Sequence, residues 1–184
     1  MYFKKPSKLV LLMQALYTLL CGVNAYNCIT QLLSGNNSIL TILNDVIYLV
    51  VYFFIIFYAV KNYKNDDKHF KYIVYAYAAL LGINILYSGQ MMDGFGLSQN
   101  VTLLINICNL CAFGLVIKFA EILDDRKKAL ISMALANLIK LCGEVYVIIL
   151  MFDYIQLIHI LISLSVPVLG ITILVAYMHR FGND

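Results

Sequence analysis

Polar residues are so sparse along this chain that they divide it into six long apolar runs, at about 9–33, 39–60, 72–92, 101–120, 129–152 and 155–178. None alternates with a period of two, and each supplies the ~20 apolar residues that a helix needs to cross ~30 Å of hydrocarbon. A backbone surrounded by lipid must satisfy its own hydrogen bonds. That leaves helices and closed barrels, and the lack of alternation selects helices. The connections are short: Ser34 to Ser38, Lys61 to Lys71, Asp93 to Asn100, Glu121 to Lys128, and Asp153 to Tyr154. Short connections make consecutive helices antiparallel neighbours. The pattern predicts an all-α, polytopic integral membrane protein, a compact bundle of six transmembrane helices forming one domain over residues 1–184.

Composition narrows the function classes. Of the 184 residues, 62% are hydrophobic and 12% charged, against roughly 45–50% and about 25% in an average soluble domain. Six spans leave no room for a soluble enzyme, a nucleotide-binding module or a nucleic-acid reader beside them. The basic residues then set orientation, because Lys and Arg in short loops stay on the cytoplasmic side. Lys4, Lys5 and Lys8 precede helix one, and Lys61, Lys64, Lys68 and Lys71 bracket the second loop. Lys118, Arg126, Lys127 and Lys128 bracket the fourth loop, and Arg180 follows helix six. Twelve of the thirteen basic residues thus fall on one side, which places both termini in the cytoplasm of a cell-membrane protein. The formal net charge of +3 is read as orientation and contact with anionic lipid. Lys4, Lys5 and Lys8 with the stretch Leu9 to Leu20 and Val23-Asn24-Ala25 also fit a signal peptide, but cleavage would leave five helices with the same loop sidedness to explain. With no Trp, tyrosines near helix ends (Tyr26, Tyr63, Tyr72, Tyr154 and Tyr177) are the expected interfacial anchors.

Once orientation is set, the depth of each intramembrane polar residue follows from the ~1.5 Å rise per residue. Asn24 and Asn27, Asn44 and Asp45, Asn84, Asn106 and Asn109, Glu144, and His159 all fall in the outer half, spread over six helices. Lys140 falls at the middle of helix five, with Asn137 one turn further in. The inner half is apolar over Val46 to Val60, Ile73 to Gly82, Leu110 to Ile117, Ala129 to Ala136 and Val166 to Ala176. A charge in a bilayer needs a partner, a bundle interior or water. One polar cavity that opens outward above an apolar floor satisfies all of these residues. The alternative for the asparagines is hydrogen bonding between helices as packing glue.

Two helices carry polar stripes. Gln14, Tyr17, Cys21, Asn24, Cys28 and Gln31 recur at alternating steps of three and four on helix one, facing either the cavity or a neighbouring helix. Asn137, Lys140 and Glu144 share a face of helix five, and the i, i+4 spacing lets Lys140 pair with Glu144. Asp45 is the candidate partner from another helix. The pair is either a passive lock or a site for a charged solute group or proton. His159 titrates near neutral pH, which leaves it open to a proton-linked role or an interfacial one. The weak likeness between the ends of helices two and four, with Asp66 and Asp67 matching Asp124 and Asp125, fits either a hairpin duplication or the common need for helix caps at inward turns.

Enzymatic signatures are missing. The five cysteines all lie in predicted helices, where they pack as small apolar groups. Cys108-Asn-Leu-Cys111 has redox spacing but no second pair to relay electrons, and Cys108, Cys111 and His159 lack a fourth metal ligand. No protease, phosphate-loop or dinucleotide motif occurs. The reading is a non-enzyme without cofactor, metal or nucleic-acid partner. It binds or transports a small polar solute through Asn24, Asp45, Asn84, Asn106, Asn109, Lys140, Glu144 and His159. In size, helix count, inside termini and outer polar half, the chain resembles the substrate-binding subunits of energy-coupling-factor transporters. The likeness is one of topology: no motif of that family occurs, and the face of helix one with alanine at every fourth residue is absent. The resemblance implies a solute site open to the exterior and a membrane coupling partner. A second reading is a non-transporting membrane partner, whether regulatory, immunity or sensory, that pairs with another membrane protein or with copies of itself. An oligomeric channel would need a polar path through the apolar inner half.

Overall fold

The computed structural model describes residues 8–35, 39–62, 67–94, 99–150 and 157–181. These residues form six helices and no strand: α1 Lys8–Leu33, α2 Ile39–Asn62, α3 Asp67–Gly94, α4 Gln99–Glu121, α5 Arg126–Leu150 and α6 Leu157–Phe181. Each coincides with one apolar run, and two of them, α3 and α4, extend past both ends of theirs. α3, for instance, begins five residues before position 72. Hydropathy marks where a helix becomes apolar, whereas backbone hydrogen bonding continues through charged residues until a cap or turn ends it. Two helical segments, Val101–Glu121 and Arg126–Leu150, are long and apolar enough to cross a membrane; the apolar stretches Asp45–Phe57, Phe70–Ile85 and Ser163–Met178 are shorter. Lys4, Lys5, Lys64, Asp66, Asp153 and Tyr154 lie outside the described residues, as do the side chains of Gln14, Tyr17, Asn44, Lys61, Asp67, Lys68 and Arg180.

The chain divides into two compact units whose boundaries fall inside α3 and α6. In the first, residues 1–80 and 172–184, α1 packs along α2. Gly35, at φ 73°, follows the end of α1 in the left-handed conformation that glycine adopts without a Cβ penalty. The buried residues of α2, Asp45, Tyr48, Tyr52 and Ile55, recur at steps of three, four and three, which is the seam of a packed helix. The helix-one stripe turns inward as far as it is described: Cys21, Asn24 and Cys28 are buried and Gln31 is half-buried. These buried residues lie on α1, which packs along α2, and Cys28 is within electrostatic range of Asp45. Tyr26 and Tyr72 are exposed as expected of anchors, but Tyr177 is fully buried. Its ring stacks on Phe70 with centroids 6.1 Å apart, because position 177 shares the inward face of Ile173 and Ala176.

In the second unit, residues 81–171, α4 and α5 form an antiparallel pair. The turn over Ile122 to Asp125 closes it through Ile122 N–H to the Lys118 carbonyl (3.1 Å) and Asp125 N–H to the Ile122 carbonyl (3.0 Å). Asp125 then caps α5, its Oδ1 accepting from the Lys128 N–H at 3.3 Å. The register sets Cys108 against Gly143, Asn109 against Lys140 and Leu115 against Ser132. A Cβ at Gly143 would lie 3.5 Å from that of Cys108, an ordinary van der Waals contact.

Candidate functional site

Helical spacing and the turn at Asp125 together build a polar ladder on the buried face of α5. Ser132, Asn137 and Lys140 are all buried on this helix, and Glu144 follows one turn on with its side chain 17% exposed. Ser132 Oγ–H donates across to the Leu115 carbonyl of α4 at 2.8 Å. Two turns later, Lys140 Nζ donates to Asn109 Oδ1 of α4 at 2.7 Å and to Glu144 Oε1 at 2.5 Å. An ammonium has three donors, so two are committed to these partners. Lys140 is 3% exposed, and its charge is compensated inside the hairpin.

Asn137 is the exception on this ladder. It precedes Lys140 by three residues on the same face, and its Nδ2 and Oδ1 are both buried without a hydrogen-bond partner among the described residues. An unsatisfied buried polar group costs about 1–3 kcal/mol. The amide therefore offers one donor group and one acceptor, three residues before Lys140 on the same helix, to any small polar molecule that reaches it.

The expected site residues divide between the two units. Asn109, Lys140 and Glu144 come together in the second. Asn84 and Asn106 belong to the same unit and are half-buried. Asn24 and Asp45 belong to the first unit and are both buried. Asn24 Nδ2 donates to the Leu20 carbonyl of its own helix at 2.8 Å, a local use of the amide. Asp45 Oδ2 has no hydrogen-bond partner among the described residues. The side chain of His159 lies outside the described residues, although its backbone is part of α6.

The expected i, i+4 pair of Lys140 with Glu144 forms, and within the same unit Asn109 is the contact from another helix. The i, i+4 pair forms with both residues on one rigid helix, so it needs no tertiary ordering. The stretch Ala129 to Ala136 is not uniformly apolar, because Ser132 is buried within it and bonded across the interface. Ser132 was missing from the sequence argument, and Asn137 was placed on the Lys140 face but not among the site residues, because each, taken alone, reads as a tolerated polar residue. Their spacing from Lys140, eight and three residues, was the available signal. Cys108 is half-buried, Cys111 is exposed, and neither forms a disulfide. The chain matches no protein-family model, no curated protein and no solved structure.

Proposed function

We propose that this chain is a multi-pass cell-membrane protein with cytoplasmic termini that binds or transports a small polar solute at the polar face of its α4/α5 hairpin. The distribution of side chains on α5 supports the membrane setting. Ile131, Leu138 and Ile149 are 60%, 57% and 67% exposed, while Ser132, Asn137 and Lys140 are buried. Water would favour the reverse arrangement and hydrocarbon favours this one. The observation that carries the solute reading is the Asn137 amide, buried without a hydrogen-bond partner among the described residues, three residues before Lys140 of the Asn109–Lys140–Glu144 cluster. Asn137 would hydrogen-bond the solute, and Lys140 and Glu144 would exchange part of their mutual pairing for its charged or polar groups. The test is thermal stabilisation of the purified chain in detergent against amino acids, nucleosides and small carboxylates. A ligand at a hundredfold excess over its Kd adds about 2.7 kcal/mol. The expected result is a shift with one of these solutes that disappears in Lys140→Ala and in Asn137→Ala. A shift that both variants retain would remove the reading.

The closed Lys140–Glu144 pair favours a second reading, a regulatory, immunity or sensory membrane partner in which the pair is a lock. That reading expects the double swap Lys140→Glu with Glu144→Lys to preserve activity. It also expects substitutions of Asp66, Asp67, Asp124, Asp125 or Arg126 to abolish it.

A further inference from the structure

The α1/α2 pair buries a carboxyl of its own. Asp45 lies in the second turn of α2 and is 3% exposed, and Oδ2 has no hydrogen-bond partner among the described residues. From α1, which packs along α2, Cys28 lies within electrostatic range of it; on α2, Tyr48 follows one turn on, stacked against Tyr52 with centroids 5.7 Å apart, and Cys21 of α1 lies within electrostatic range of Tyr52. These neighbours are thiols and phenols, and none is a cation. Among described side chains of this unit the cations are Lys8 and Lys71, both exposed. Lys8 precedes Cys28 by twenty residues of helix, about 30 Å along the axis. The Lys71 ammonium lies 5.9 Å from the centre of the Tyr75 ring. Among the described residues of this unit, an ionised carboxylate in this seam would be buried with neither counter-ion nor a donor to Oδ2, which is the costly state of a carboxyl. A proton removes the charge and leaves an O–H that the surrounding sulfur and aromatic groups tolerate.

We propose that Asp45 is a proton-binding site of this protein, with the proton held on Oδ2 inside the α1/α2 seam. It is separate from the solute reading, since it uses neither Lys140 nor any residue bonded to it. A protonated carboxyl in apolar surroundings reacts with the hydrophobic reagent dicyclohexylcarbodiimide by adding its O–H across a C=N bond. Oδ2 bonds to the central carbon and the proton passes to nitrogen. The acyl group then migrates from oxygen to nitrogen, giving a stable N-acylurea with no leaving group.

The experiment treats the full chain in detergent micelles with this reagent from neutral to alkaline pH and locates the adduct by peptide mass mapping. The expected result is an adduct on Asp45 that is lost as the pH is raised and lost in Asp45→Asn. Infrared spectroscopy of the untreated protein supplies a second readout that needs neither the reagent nor the variant. It should show a protonated-carboxyl carbonyl band that shifts on carbon-13 labelling of aspartate. Either the Asp45 adduct or the shifting band supports the site. Absence of both at neutral pH overturns it.

Discussion

At the scale of single residues, the energetics turn on Lys140. A buried charge is compensated by a carboxylate and an amide oxygen, and removing one partner of such a set leaves the other uncompensated. Lys140→Met should therefore destabilise the protein by about 3–5 kcal/mol, whereas Lys140→Met combined with Glu144→Leu should recover most of that loss. Equilibrium unfolding in detergent measures both, and equal destabilisation in the single and double variants would show that the pair is not coupled. The i, i+4 relation of Lys140 and Glu144 was legible from spacing alone. The choice of Asn109 as the third member was not, because six asparagines lie in the expected outer half, and nothing local to a helix says which one faces the ammonium.

At the scale of elements, the α4/α5 hairpin is closed by a short turn and bonded across its two helices. Its register follows from a turn of four residues and from the Asp125 cap, which positions the first turn of α5 and thereby the ladder above it. The Lys128 side chain, 2.8 Å from Asp125 Oδ2, holds the Asp125 carboxyl below its ordinary range, chiefly by donating a hydrogen bond to it. A carboxyl whose folded pKa is depressed contributes its full stabilisation above the unfolded value of about 3.9 and loses it as the pH falls through the folded value. Asp125→Ala should thus expose the Arg126 to Lys128 segment to faster tryptic cleavage at neutral pH. In thermal unfolding the difference between variant and parent should shrink as the pH drops below about 4. A difference that persists in acid would assign the cap to another group. The approximate helix ends were legible in the sequence, but the starts of α3 and α5 were placed late, since both begin among charged residues that hydropathy excludes.

At the scale of the whole molecule, large apolar side chains such as Leu33, Ile39, Val50 and Ile149 are exposed while Asn24, Asp45, Asn109 and Lys140 are buried. The proposed membrane orientation rests on the clustering of twelve basic residues at alternate connections. It predicts that a single cysteine introduced at Asn36 reacts from outside intact cells with a membrane-impermeant maleimide, in a background lacking the five native cysteines. One introduced at Lys64 should react only after permeabilisation. Labelling of both from outside would invalidate the topology.

The number and type of the helices were determined by the sequence alone, because an apolar run of this length with no alternation has one economical backbone solution. The pairing potential of Lys140 and Glu144 was also local, as were the inward stripe of Cys21, Asn24 and Cys28 and the loop charges. Tertiary structure decided which polar groups are satisfied. Asn109 was drawn to Lys140, Ser132 to the Leu115 carbonyl, and Tyr177 into the core against Phe70. Asp45 Oδ2 and the Asn137 amide were left without hydrogen-bond partners among the described residues. Satisfaction depends on the rotation and register of a facing helix, and these are set by packing across residues far apart in the chain.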